Sequence, residues 1–113
     1  MVKHRDPDLD RVFQALSDST RRDMLANLVM GPVKLTEMAD TYDLSLPAVG
    51  KHIKVLEAAG LVTTEKNGRL RHVTAQARNL RQAADWINRY TRFWSDALDR
   101  FADFVVAENE TKP

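Results

Sequence analysis

The chain has no cysteine, which removes disulfides, thiolate metal sites and thiol redox sensing together. Glycine is scarce at four residues, each assignable to a turn, a cap or a helix position. No glycine-rich phosphate loop and no nucleophile motif can be built from them, so an enzyme is not expected. No apolar run approaches the roughly 18 residues that cross a bilayer. The start, Met1 to Asp6, lacks the apolar segment of a signal peptide, so the expected compartment is the cytoplasm, without a membrane partner. At 113 residues the sequence reads as a single domain, 1–113, small enough for oligomerisation to help its stability.

The net charge of +1 hides an uneven distribution. Residues 1–44 balance at −2 and residues 79–113 at −1, whereas residues 45–78 stand at +4. A basic segment between acidic flanks is the electrostatic footprint of a nucleic-acid-reading surface.

That segment overlaps the most structured stretch of the sequence. Thr36 is a candidate N-cap for a short helix to about Thr41, with Leu35, Met38 and Ala39 inward. Tyr42 to Leu44 make a tight break. Ser45 then caps a second helix, with Pro47 in its first turn, where a missing N–H does little harm. Val49, Ile53 and Leu56 recur at i, i+4 and i+7 and form its buried stripe, while Lys51, His52 and Lys54 lie opposite. Gly60 ends the helix in the left-handed region. Residues 35–58 therefore read as a helix-turn-helix.

Residues 61–74 read as a hairpin. Asn67-Gly68 signals a two-residue type I′ turn. Centred there, the register pairs Lys66 with Arg69, Thr64 with Arg71 and Val62 with Val73; Glu65 pairs with Leu70 and Thr63 with His72. Lys66, Arg69 and Arg71 then crowd one face at the tip. Like charges facing one another weaken a ribbon, which points to an anionic partner outside the fold.

Upstream, Leu9, Val12, Phe13 and Leu16 mark an amphipathic helix over 9–17. Asp18 or Ser19 caps the next, which runs to about Met30 with Met24, Leu25, Leu28 and Val29 inward; Met24 and Met30 are read as core filler. Arg21 and Arg22 are read as structural, holding Asp18 and Asp23, in preference to phosphate contacts. Downstream, one helix spans about 78–106. Leu80, Ile87, Trp94 and Phe101 form one seven-residue series, and Ala83, Tyr90, Ala97 and Phe104 the other, which predicts a coiled-coil-like seam. Asp85–Arg89, Arg92–Asp96 and Asp96–Arg100 are spaced as ion pairs on its outer face. Its aromatics, with Phe13, are read as core and interface in preference to a ligand box.

The run Ser45–Val62, SLPAVGKHIKVLEAAGLV, resembles the recognition-helix signature of the ArsR family of bacterial winged-helix repressors. Ala15–Leu25, ALSDSTRRDML, is similar to that family's second motif at the expected distance upstream. The resemblance covers roughly residues 9–105. It departs from the family at Leu46, where a polar residue, often Gln, is common, and at Gly50, often Ser. It implies a mainly α fold with a two-stranded β-wing, a winged helix-turn-helix whose long terminal helix serves dimerisation. It also implies a homodimeric repressor of double-stranded DNA with an inverted-repeat operator. Thr36, Ser45, Leu46, Pro47, Ala48, Gly50, Lys51, His52 and Lys54, with Lys66, Arg69 and Arg71 of the wing, are the DNA-binding candidates. Since the family's first and last helices build its dimer interface, Leu9, Val12, Phe13, Leu80, Ile87, Tyr90, Trp94 and Phe101 are the interface candidates. The family's metal sites need cysteines before the turn, or histidine with carboxylates in the last helix. This chain has neither, and His4, His52 and His72 are scattered, so no metal or other cofactor is expected. The alternative is a winged-helix protein-interaction module without DNA binding, for which Leu46 and Gly50 speak best.

Overall fold

The computed structural model describes residues 7–110. Residues 1–6, His4 among them, lie outside the described residues. Pro7 opens α1 (Pro7–Leu16), where proline's fixed φ suits a first helical turn. The order continues α2 (Ser19–Asn27), a 3₁₀ turn (Leu28–Met30), β1 (Val33–Lys34), α3 (Leu35–Tyr42), α4 (Leu46–Ala58), β2 (Val62–Asn67), β3 (Leu70–Ala75) and α5 (Ala77–Glu110). The described residues fall into two units, one ending at Ala83 and one beginning at Ala84.

The first unit holds the core. Val12 from α1, Met24 from α2, Met38 from α3, Val49 and Leu56 from α4, and Leu61 and Val73 beside and within the sheet are fully buried. Met24 fills the core as expected, but Val29 and Met30 do not: they are 78% and 92% exposed. The cause is local. The 3₁₀ turn winds three residues per turn, not 3.6, and carries both side chains off the inward stripe.

Both helices of the helix-turn-helix end in the same way. Asp43 sits at φ 52°, with its N–H bonded to Asp40 O and that of Leu44 to Ala39 O. Gly60 sits at φ 71°, with its N–H bonded to Glu57 O and that of Leu61 to Leu56 O. These paired bonds form the Schellman motif, which satisfies the last helical carbonyls. Gly60 is required twice over: a Cβ there would run into the side chain of Asn79, which donates to Ala59 O at 3.0 Å. The start of α3 differs from expectation. Thr36 lies inside the helix, and Lys34, without a side-chain cap bond, takes the N-cap position.

The sheet has three antiparallel strands in the order β1-β3-β2, one more than the hairpin motif implied. β1 pairs Val33 with Val73 and Lys34 with His72, making β3 the central strand. The hairpin register also differs from expectation. Asn67 pairs with Leu70, Lys66 with Arg71, Glu65 with His72, Thr64 with Val73 and Val62 with Ala75. The loop residues are therefore Gly68 and Arg69. Gly68 has φ 67° while Asn67 and Arg69 stay at negative φ, the pattern of a type II′ turn with glycine first. The slip is two residues, so every side chain that remains in a strand keeps its predicted face, while Arg69 moves into the turn.

α2 and α3 are joined by a polar link. The Tyr42 hydroxyl donates to Asp23 Oδ2 at 2.7 Å and accepts from Asn27 Nδ2 at 2.5 Å. Burial, then the hydrogen bond and charge of Asp23, push the Tyr42 phenol from 10.0 up to about 12. The fold thus favours the neutral phenol. Its contribution is complete below pH 10 and disappears as pH rises from 10 through about 12. Tyr42→Phe is expected to cost about 1 kcal/mol at neutral pH. It should also flatten the loss of stability above pH 10 in urea unfolding followed at stepped pH.

α5 is 34 residues long, about 50 Å at 1.5 Å per residue, and longer at both ends than predicted. Beyond Ala84, Trp86 and Tyr90 stack with centroids 4.9 Å apart, and Tyr90 meets Trp94 edge-on at 5.9 Å. Trp86, Ile87, Tyr90, Phe93, Trp94, Leu98, Phe101 and Phe104 are all exposed within the single chain. The expected ion pairs Asp85–Arg89, Arg92–Asp96 and Asp96–Arg100 are not closed; among the described residues the salt bridges are Arg11–Asp8 and Arg21–Asp18. Exposed i,i+4 pairs gain only a few tenths of a kcal/mol, about what ordering two long side chains costs. No helix among the described residues is long and apolar enough to cross a membrane.

Candidate nucleic-acid interface

Ser45 begins the candidate surface. Its Oγ accepts from Ala48 N–H at 3.2 Å, and Leu46 and Pro47 occupy the first two helical positions. Val49, Ile53 and Leu56 point into the core as predicted, which fixes the rotation of α4. Leu46, Pro47, Lys51 and Lys54 are then exposed, and Ala48, Gly50 and His52 half-buried. A Cβ built on Gly50 meets nothing within 4 Å. Nothing in the fold itself asks for glycine there.

The wing supplies the second half. Lys66 and Arg71 face each other directly across the ribbon, Arg69 occupies the turn, and all three are exposed. None of the three appears in either salt bridge among the described residues. A groove of about 360 Å³ runs between the two halves, lined by Leu35, Thr36 and Leu46 on one side and Lys66, Arg69, Leu70 and Arg71 on the other. Five predicted residues thus meet in one place. Pro47, Lys51 and Lys54 extend the surface along α4. Leu35 and Leu70 line the groove without having been predicted there; an apolar residue in an otherwise polar hairpin tip is the one sequence signal that marks Leu70.

Arg21 holds Asp18 at 3.9 Å, as expected, whereas the expected hold on Asp23 is absent, and both arginines make further contacts to α1. Arg21 Nε donates to Ala15 O at 2.7 Å, its second terminal nitrogen to Gln14 O at 3.2 Å, and Arg22 to Leu16 O at 2.7 Å. The two guanidinium groups close the carbonyl end of α1. Asp18 caps α2 through the Arg21 N–H at 3.1 Å, and that hydrogen bond, with the Arg21 charge, holds its carboxyl below the usual range against the opposing effect of burial. Asp23 serves Tyr42 and is not held by an arginine. The first terminal nitrogen of Arg21 lies 3.4 Å from His52 Nδ1.

Of the interface candidates, Val12 is corrected outright: at 1% exposure its side chain is spent in the core of its own chain and has nothing to offer a partner. Leu9 and Phe13 pack partly against that core, whereas Leu80, Ile87, Tyr90, Trp94 and Phe101 are exposed.

A helix-turn-helix followed at once by a cationic β-wing defines a winged helix-turn-helix protein. A family model described as a helix-turn-helix domain matches residues 16–65. The HTH-type transcriptional regulator Rv2034 of Mycobacterium tuberculosis is 34% identical over 110 residues, covering 97% of this chain and 98% of that protein. The transcriptional repressor SdpR of Bacillus subtilis is 25% identical over 79 residues, 70% of this chain and 88% of its own length. The crystal structure of the ArsR family transcriptional regulator RHA00566 superposes with a TM-score of 0.74 at 33% identity, over 83% of this chain and 97% of that one. The chain belongs to the ArsR family of winged helix-turn-helix transcriptional regulators.

Proposed function

We propose that the protein is a homodimeric, sequence-specific repressor that binds an inverted-repeat operator and does not respond to metal. The observation that carries the reading is the groove. Three wing cations outside both salt bridges found among the described residues face the start of α4, and the capped N-terminus of that helix adds its own attraction for phosphate. In this reading α4 enters the major groove N-terminus first. Ser45, Pro47, Ala48, Lys51 and His52 meet base edges or flanking phosphates, Lys54 meets the backbone further along, and Thr36 touches a phosphate beside the turn. Leu46 and Ala48 supply apolar contact to thymine methyls. Lys66, Arg69 and Arg71 lay the wing against minor groove or phosphate.

The open space over Gly50 gives close approach of the helix backbone to DNA a physical basis. Gly50→Ala should raise the protein's stability, by up to about 1 kcal/mol in thermal unfolding, while weakening operator binding. Repression agrees with the name of the SdpR relative, and the exposed aromatic face of α5 supports self-association. Metal independence rests on the sequence, which has no cysteine and places no histidine in α5.

Selection from a random duplex pool tests the reading. It should enrich an inverted repeat with half-sites roughly 10 or 20 base pairs apart, one or two helical turns. Enrichment of a single unpaired site would contradict the dimer, and no enrichment would contradict DNA reading.

A further inference from the structure

Arg21 and His52 lie 31 residues apart in sequence, and their contact joins the carbonyl end of α1 to the recognition helix. The guanidinium is fixed before it reaches the imidazole. It is held by Ala15 O at 2.7 Å and Gln14 O at 3.2 Å, with the Asp18 carboxylate 3.9 Å away. Arginine has five donors and no acceptor. His52 Nδ1, at 3.4 Å, therefore satisfies the contact only by accepting. A proton on Nδ1 would set N–H against N–H.

The other ring nitrogen is in a different position. His52 Nε2 forms no hydrogen bond among the described residues, and the one buried side-chain nitrogen or oxygen without a partner among them is Thr64 Oγ1, so the Nε2 of the half-buried His52 reaches solvent. In a neutral imidazole with Nδ1 accepting, Nε2 carries the proton.

We propose that Arg21 is a positioning residue for DNA recognition: it fixes the tautomer of His52, so that the recognition helix presents Nε2–H outward as a donor. This rests on the DNA-binding reading above and adds a chemical restriction to it. His52 then pairs only with acceptors, either a phosphate oxygen or the N7 and O6 edge of a purine, and never with the amino group of cytosine or adenine. The presence of His52 on the helix does not say this; the fixed cation behind it does.

The free protein tests the first half without DNA. Proton–nitrogen correlation spectra of ¹⁵N-labelled protein, at a pH where His52 is neutral, should show the proton on Nε2. In Arg21→Met, which keeps an apolar stem and removes the donors, a population with the proton on Nδ1 should appear. A wild-type His52 that carries its proton on Nδ1 overturns the proposal, as does a tautomer that Arg21→Met leaves unchanged.

The second half is read in operator affinity, using the duplex recovered from the random pool. His52→Asn keeps an acceptor near Arg21 but cannot reach outward, and His52→Gln places a donor where Nε2 stood. His52→Asn should bind about five- to tenfold more weakly than wild type, the value of one hydrogen bond, and His52→Gln should recover most of that loss. If Arg21 and His52 only pack α2 against α4, His52→Asn binds like wild type and the proposal falls. Duplexes carrying 7-deazapurine, 2-aminopurine in place of guanine, or methylphosphonate at single positions identify the acceptor as N7, O6 or phosphate. The position at which His52→Asn no longer costs affinity is the one His52 touches, and its absence from all three series overturns the proposal. If wild type itself binds no duplex, it is the DNA-binding reading that fails, and the tautomer result stands independently.

Discussion

Changing Arg69 and Arg71 together to alanine flattens the salt dependence of operator binding. Each phosphate that the protein ceases to neutralise lowers the slope of log affinity against log salt by roughly 0.9, so the expected change is close to 2 for one wing and close to 4 for both wings of a dimer. Affinity at physiological salt falls at least about tenfold with it. Neither side chain takes part in a salt bridge among the described residues, and Arg71 directly faces Lys66. Removing it relieves a repulsion, so thermal stability stays level or rises slightly. That combination separates a partner-binding role from a folding role. Anisotropy across a salt series, with thermal unfolding beside it, measures both; an unchanged slope removes the wing from the binding surface.

The second large effect concerns α5. Trp94 and Phe101 are 45% and 64% exposed within the single chain and lie seven residues apart on one stripe. Aromatic side chains bury on the order of 150–250 Å² each, and a seam of them left in water is a substantial cost that a second copy removes. Placing aspartate at both positions sets a charge in the middle of that seam. The double variant Trp94→Asp, Phe101→Asp is expected to be monomeric in sedimentation equilibrium and still folded, because the buried core runs from Val12 to Ala83 and contains neither residue. Its operator affinity should fall roughly 10²- to 10⁴-fold, the avidity that linked half-sites confer. A variant that remains dimeric would move the interface off this stripe.

Much of the helix-turn-helix was legible because its determinants are local. Ser45 as a cap, the 49–53–56 stripe and Gly60 at positive φ each depend on residues within one or two turns. What the sequence concealed was set by finer or longer-range geometry. β1 has two residues, too few for any periodicity to show, and exists because β3 offers it an edge. The hairpin slipped because Asn67-Gly68 and Gly68-Arg69 are both acceptable turns, and only the backbone angle of Asn67 separates them. Since the slip was two residues, the clustering of Lys66 and Arg71 on one face survived it. Val29 left the core through a single 3₁₀ turn. Leu35 and Leu70 become candidates only because the wing and α3 share a groove. The Arg21–His52 contact joins residues that no spacing rule connects.

Sequence-specific duplex recognition by the surface formed from α4 and the wing is the central claim. Fluorescence anisotropy of the purified protein tests it most directly, with the selected inverted-repeat duplex and a scrambled duplex of equal length titrated side by side across a salt series. Tight binding to the inverted repeat is expected at physiological salt, with the scrambled duplex at least about 10³-fold weaker. Equal affinity for both would contradict specific reading. No binding to either, even at low salt, would contradict DNA recognition altogether and leave a protein-interaction module in its place.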